Sequence, residues 1–363
     1  MMHKITLVLL GAVIIGGGCF WHRTPTTETT AQNTAVIAQE TTSQTDSPAP
    51  AETKKSAAKK ETTKQTASVD PAILTDETVL TPEDNTPADE NEPSGSTWAF
   101  TPAPDTAVFK DEPLLDLSAR KLNPLAAHVP APDTTVNSPW QGEQLKFGLY
   151  YSFAKVGTAY IKNRGLIETN GKQAYVIQTT AFSAPVIDAV FKVRDINLSW
   201  LDAKNFSSLG YSQSLREGNY RRDEWVLFDY PANVYHGEVH KKSGSRSISG
   251  PLTMPVLDML TALYFVRAQT LTKGQPVVFD IINREEQYPL VVKVVKHETV
   301  KTPAGKFKCI VVEPQFRGEG IFVSKGKSLK VWLTDDERKM PVKMKAEVFI
   351  GSVSAELLEY KVN

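Results

Sequence analysis

The ten residues Pro341-Val-Lys-Met-Lys-Ala-Glu-Val-Phe-Ile350 decide the fold class of this 363-residue chain. Apolar side chains occupy every second position, and most of the residues between them are charged. The apolar set is Val342, Met344, Ala346, Val348 and Ile350. Successive side chains of a β-strand point to opposite faces of the sheet. The stretch therefore predicts an antiparallel strand with one buried face.

The same alternation recurs through residues 136–363, where Gly, Pro and Asn separate most of the segments. The other strand candidates are 145–151, 158–167, 174–182, 193–201, 207–215, 223–230, 234–241, 276–283, 289–298, 306–314, 329–334 and 352–361. A dozen or more strands with few helices predict a mainly β, antiparallel domain. Its form is expected to be a strongly curved sheet, an incomplete β-barrel or a complete one.

One segment, 255–267, breaks the alternation and predicts a helix with Pro255 in its first turn. It is apolar nearly all round, so the helix is expected to be buried, either closing an end of the sheet or filling its concavity. Asp258 and Arg267 are its candidate buried polar pair. They are expected to satisfy backbone groups or to form ion pairs in the core. A second short helix is predicted, more weakly, at 184–191.

The N-terminus resembles an export signal. Lys4 precedes an apolar run from Ile5 to Ile15, which is too short to span a membrane, and small residues then lead to Cys19. This pattern predicts a lipoprotein signal peptide over 1–18 and acylation of Cys19. The aliphatic residue usual three positions before the cysteine is replaced by Gly16, which leaves a plain secretory signal or a short membrane anchor as alternatives. Phe20 follows the cysteine, and this favours the outer membrane over the inner one.

Residues 19–135 predict a long disordered tether. Of the 116 residues from 20 to 135, 52 are Thr, Ala or Pro, and no apolar periodicity persists. The later part carries more apolar residues and could dock on the domain as a short strand or helix. Its large apolar residues are Trp98, Phe100, Val108, Phe109, Leu114, Leu115 and Leu117.

The formal charge is zero, but the two signs are segregated along the chain. Residues 20–135 carry 9 basic and 18 acidic groups, whereas residues 136–363 carry 31 basic and 23 acidic groups. Nucleic acid is not an expected partner, since export separates the chain from it. The basic excess of the domain leaves three candidate contacts open: anionic lipid, acidic glycan and the chain's own acidic tether.

No pattern for catalysis, metal or cofactor binding is found. The chain has no nucleophile elbow, phosphate-binding loop, dinucleotide fingerprint or His-Glu-x-x-His helix. His236 and His240 flank Glu238 in a strand candidate, where their spacing does not suit one metal ion. Cys309 alternates with apolar neighbours and is expected to be an inert core thiol. We therefore predict a protein that is not an enzyme and needs no cofactor.

Several motifs occur in the order found in one family. They are Gly142-Glu-Gln-Leu-Lys-Phe147, Asp258 to Arg267, Glu298-Thr-Val300, Thr302-Pro-Ala-Gly-Lys-Phe307, Val331-Trp-Leu-Thr-Asp-Asp-Glu-Arg338, Pro341-Val342 and Ile350-Gly-Ser-Val353. Over 140–361 the chain resembles the bacterial exported family called domain of unknown function 3108. That resemblance implies a Gram-negative envelope location and an antiparallel β fold, and it transfers no catalytic residues.

Two function hypotheses follow. The first is a non-enzymatic envelope lipoprotein, facing the periplasm, that holds a lipid or other hydrophobic ligand in a curved β-sheet. The alternative is a structural or assembly factor that binds envelope proteins or cell-wall glycan through its surface. In both, the membrane is a partner through lipidated Cys19.

Overall fold

The computed structural model describes residues 107–125, 140, 142–169, 171–253, 255–283, 285–316, 328–347 and 351–362. The predicted signal peptide, Cys19 and the tether as far as residue 106 lie outside these ranges. So do Val348 and Ile350, the last two members of the alternation in 341–350.

Fourteen antiparallel strands and two helices make up the described domain. The helices are α1 (Pro185–Asp188) and α2 (Met259–Ala268). The strands are β1 (Gln144–Tyr151), β2 (Ala154–Thr169), β3 (Lys172–Ser183), β4 (Arg194–Asp202), β5 (Ser208–Glu217), β6 (Tyr220–Asp229), β7 (Val234–Lys241), β8 (Gly244–Pro251), β9 (Val277–Asn283), β10 (Glu286–Thr302), β11 (Gly305–Phe316), β12 (Leu329–Thr334), β13 (Pro341–Glu347) and β14 (Ser352–Lys361).

All fourteen strands belong to one open sheet, in the order β8-β7-β6-β5-β4-β3-β2-β1-β14-β13-β12-β11-β10-β9. The prediction of an antiparallel β domain is confirmed. The predictions of a strongly curved sheet and of a β-barrel, complete or incomplete, are wrong, because the sheet is neither closed nor strongly curled and its ladder ends at two edges, β8 and β9. Closure is prevented at β9 by the chain leading into α2. The Leu257 amide donates to the carbonyl of Asp280, and the Ile282 amide donates to the carbonyl of Leu257.

Alternation gives the sheet two different faces. Leu145 and Phe147 of β1 lie in the main apolar core together with α2, and we call this side the helix face. Lys146, between them, points to the other side, where it contacts Asp111. On the helix face β13 presents Val342, Met344 and Ala346, as the opening stretch predicts.

The buried helix is confirmed, but it begins at Met259 and not at Pro255. Asp258 is its N-cap, and its carboxylate accepts hydrogen bonds from the amides of Leu260 (2.9 Å) and Thr261 (3.1 Å). The Thr261 hydroxyl in turn accepts from the Asp258 amide at 3.0 Å, which completes a capping box. An aspartate N-cap satisfies amides that a proline start would have left open.

Residues 107–125, here called the strap, run along the face opposite α2. Phe109, Leu115 and Leu117 are buried against aromatic and aliphatic side chains of β2, β3 and β4. Leu122 is buried in a second apolar cluster, which includes Trp200. This part of the predicted tether is therefore docked on the domain, without forming a strand or an α-helix. Burial of four large apolar side chains provides the reason.

Within the described residues, no helix combines the length and apolarity needed to cross a membrane.

Candidate functional site

The turn between β1 and β2 and the connection between β3 and β4 emerge at the same end of the sheet. Gly157, near the start of β2, pairs with Ser183, the last residue of β3. Beyond that pair, the Ala184 amide donates to the carbonyl of Val156 at 2.9 Å. We call this end the loop end, and we call the end at which α2 begins the helix end.

Three large apolar side chains project from these two connections into solvent. Phe153 is 94% exposed, Val186 75% and Val190 78%. A single exposed apolar residue needs no explanation, but a group on adjacent connections is typical of an interaction surface. We call these three residues the apolar rim.

The connection that carries Val186 and Val190 is held in place by an ion pair beneath it. Asp188 accepts two hydrogen bonds from Arg194, one of 3.1 Å from Nη1 and one of 2.5 Å from Nη2. The hydrogen bond from Arg194 lowers the pKa of Asp188. Phe191, one residue beyond Val190, is buried in the core. Val186 and Val190 are thus exposed, although the connection that carries them is attached to the domain by the Asp188–Arg194 pair and by the buried Phe191.

Exposed basic residues lie near the rim. Lys155 follows Phe153 by two residues, and Lys192 follows Val190 by two. Arg221 and Lys242 are exposed near the next two loop-end turns, β5–β6 and β7–β8. The loop end therefore combines apolar tips with exposed basic residues, and it also carries two exposed acidic residues, Glu286 at the start of β10 and Glu347 at the end of β13.

The helix end is closed by a buried ion pair. Arg267 of α2 donates to both carboxylate oxygens of Glu143, at 2.7 and 2.6 Å, and both side chains are fully buried. The guanidinium also lies 5.3 Å from the Trp140 ring and 4.7 Å from the Tyr264 ring. Burial, followed by the nearby Glu143 charge, raises the pKa of Tyr264. The contacts of Arg267 with Glu143 and Trp140 fix α2 against the start of β1.

Asp258 and Arg267, the predicted polar pair, are both buried but do not pair with each other. Besides capping α2, the Asp258 carboxylate accepts hydrogen bonds from Ser199 (2.8 Å) and Ser208 (2.6 Å). Arg267 lies at the opposite end of the helix, where it binds Glu143. The two residues are positioned by their own partners in the fold.

A further buried polar group lies at the loop-end termini of β4 and β5. Asp195 and Glu217 interact, and burial followed by the Glu217 charge raises the pKa of Asp195 well above its usual value. On β6, Arg222 Nε donates to Glu224 at 2.8 Å, and Glu224 also accepts from the Tyr211 hydroxyl at 2.7 Å.

The described residues contain no group of three or more His, Cys, Asp or Glu side chains arranged to hold a metal ion. His240 contacts Glu238 at 2.8 Å, while the His236 ring lies edge-on to Trp225. Cys309 is buried, and burial raises the pKa of its thiol to about 11. The prediction of a core thiol is confirmed in this respect.

Sequence reasoning missed the apolar rim. A signal was present in Ser152-Phe153, an aromatic residue at a hairpin turn, where polar residues are usual. The basic residues that give residues 136–363 their positive excess do not share one environment. Arg222 is buried against Glu224, and Lys325 and Lys327 lie outside the described residues.

Residues 146–358 match the family model described as "Protein of unknown function (DUF3108)". No curated protein matches the chain. One similar solved structure is a β-barrel-like protein of domain of unknown function DUF1849 from Brucella abortus. It has 8% identity and a TM-score of 0.43, over 61% of this chain and 97% of that one. Another is a proposed exported protein with YmcC-like fold from Bacteroides fragilis, with 12% identity and a TM-score of 0.28, over 61% and 95%. At these TM-scores neither match assigns a ligand or partner to this chain.

Proposed function

Because the chain belongs to the DUF3108 family, whose function is unknown, we propose a function from its own geometry. We propose a non-enzymatic cell-envelope lipoprotein, facing the periplasm, that binds a hydrophobic surface through the apolar rim. In this proposal Cys19 carries the lipid anchor, the outer membrane is favoured, and no cofactor or nucleic acid takes part.

The exposure of Phe153 carries the proposal. Burying a phenylalanine is worth about 1.5–3 kcal/mol, so a ring that is 94% exposed leaves that stabilisation available to a partner. Val186 and Val190 add two more unburied side chains on the adjacent connection. Of the two hypotheses from sequence, this favours binding through the surface.

The first hypothesis from sequence, a lipid held inside a curved sheet, has less support. α2 occupies the helix face, where Leu260, Leu263 and Tyr264 pack in the same core as β1 and β13. Near β4–β6 that face carries the buried acidic groups Asp195, Glu217 and Glu224 beside the apolar Val226 and Phe228. An acyl chain would have to displace the helix or lie against charged groups.

Photo-crosslinking of the full chain in its own membrane tests the proposal. A photoreactive phenylalanine analogue replaces Phe153, and the matched control places it at Val278, which is 60% exposed near the start of β9, away from the loop end. We expect adducts to lipid or protein at position 153 and few at 278. Equal adduct yields at the two positions would contradict the proposal.

Native mass spectrometry separates the two hypotheses. The surface hypothesis predicts that a co-purifying hydrophobic component is lost from the Phe153→Ser variant but retained by Val278→Ser. A lipid retained in stoichiometric amount by Phe153→Ser would instead support a ligand inside the sheet.

A further inference from the structure

We propose that the surface bound by the apolar rim is an anionic lipid bilayer, into which Phe153, Val186 and Val190 insert. This inference rests on the proposed function and names the partner of the same site. Its grounds are the shape, the charge and the tethering of the loop end.

The shape suits a bilayer because the apolar residues are at the tips of connections and not in a groove. Phe153 lies in a two-residue turn between β1 and β2, and Val186 lies in the four-residue helix α1. Residues at protruding tips can reach the acyl boundary while the strands behind them stay in water. Apolar side chains beside lysines are the usual composition of segments that lie in a membrane interface.

The charge of the loop end complements anionic headgroups. Lys155 and Lys192 are each two residues from a rim residue, which places an ammonium group near headgroup level when the tips are inserted. Asp188, the acidic residue on the same connection, is paired with Arg194. Lys and Arg near an anionic surface each contribute favourably, and the attraction falls off within a Debye length.

The tether would keep the domain close to such a surface. With the strap docked from residue 107, residues 19–106 separate the predicted lipid anchor from the fold. Such a linker gives the rim a high effective concentration at the membrane, so three side chains can suffice for docking. The strap crosses the side opposite α2 and leaves the rim residues uncovered.

Depth-dependent quenching tests the inference on the full chain reconstituted in vesicles. An environment-sensitive dye is attached to Phe153→Cys, with Val278→Cys as the matched control. Cys309 is buried and should not react, and the unsubstituted chain measures any labelling at Cys19. Vesicles contain phosphatidylglycerol and phosphatidylethanolamine, or phosphatidylcholine alone, each with brominated acyl chains.

We expect bromine quenching and a blue-shifted emission at position 153 in the anionic vesicles, and little of either at 278. In phosphatidylcholine the quenching at 153 should be weaker. Lys155→Gln and Lys192→Gln should each lower the ratio of docked to undocked chains by about fivefold in anionic vesicles, and the effect should shrink in high salt.

Three outcomes would overturn the inference. The first is equal quenching at 153 and 278, which indicates that the whole domain adsorbs non-specifically. The second is a blue shift at 153 that depends on protein concentration and not on lipid, which indicates a second copy as occupant. The third is the absence of quenching at 153 while crosslinks at 153 go to protein. In the last two cases the proposed function survives and the bilayer does not, whereas a lack of crosslinks at 153 removes both.

Discussion

The buried ion pair between Arg267 and Glu143 allows a quantitative prediction about stability. In Glu143→Ala the guanidinium stays fully buried and loses hydrogen bonds of 2.7 and 2.6 Å. It keeps the Arg338 carbonyl, at 3.1 Å from Nη2 and 3.3 Å from Nε, and its contacts with the rings of Trp140 and Tyr264, but no longer has a negative partner in Glu143. Removing one partner of a buried pair typically costs 3–5 kcal/mol. We therefore expect the free energy of unfolding to fall by about 3–5 kcal/mol, measured by urea denaturation followed by tryptophan fluorescence.

Two further variants show whether the loss comes from an unpaired charge. Glu143→Leu combined with Arg267→Met removes both charges, so it should be less destabilising than Glu143→Ala alone. The Arg338 carbonyl loses its bonds from Arg267 in this variant but keeps the Trp140 indole N–H, 3.1 Å away. Lys296→Ala breaks a surface pair with a 51% exposed lysine and should cost no more than about 1 kcal/mol. If Glu143→Ala costs less than this surface variant, or if the double variant is the worst of the three, the reasoning is wrong.

The remaining predictions concern three other buried groups. Asp195 has a raised pKa in the folded state, so its burial opposes folding increasingly as pH rises from about 4, the unfolded value, through the folded pKa. Asp195→Asn should therefore raise the melting temperature at pH 7, and the gain should vanish near pH 4; a gain that is the same at both values would contradict this. Glu112 of the strap pairs with Lys162, and both side chains are fully buried. Glu112→Ala should remove the strap's buried ion pair with Lys162 and make the strap the first site of limited proteolysis, whereas Asp116→Ala, at an exposed strap residue, should not; unchanged cleavage would argue against the strap being anchored there. Cys309 should resist alkylation at pH 8 in the folded chain and react in urea, because its thiol is buried and has a pKa of about 11. Fast reaction without urea would refute this.

Period-two alternation predicted thirteen of the fourteen strands, because those strands bury one apolar face. It missed β8, Gly244-Ser-Arg-Ser-Ile-Ser-Gly-Pro251, in which only Ile248 is buried. An edge strand is hydrogen-bonded on one side alone, and here it is held mainly by its ladder with β7. Because this pairing uses backbone groups, it does not require apolar and polar residues to alternate in the sequence.

The sheet's open ends and the strap depend on contacts between distant residues. The opening of the ladder at β9 follows from Leu257, whose backbone occupies the edge that a barrel would have used. The helix start depended on a local choice between Pro255 and Asp258, and the capping box with Thr261 decided it. The partners of Asp258 are 50 and 59 residues away, and Glu143 is 124 residues from Arg267, so spacing alone could not identify them.

The candidate site was harder to predict than the fold. Single apolar residues in turns are common, so Phe153 alone does not indicate an interaction surface. It does so only together with the exposed Val186 and Val190 on a neighbouring connection. That proximity comes from the pairing of β2 with β3. Sequence alone therefore indicated a basic domain but not which end of it is apolar.

The strap has a mechanical consequence in the proposed lipoprotein, in which Cys19 anchors the chain to a membrane. Tension carried by the residues before 107 enters the fold at Phe109 and Glu112, which lie on β2, and not at an edge of the sheet. Such a load meets the strap's contacts one after another, so they can be peeled in sequence while the strand ladder stays intact. The strap would then detach from the sheet before any strand is pulled out. Its 19 residues (107–125) would lengthen the connection between the membrane and the sheet.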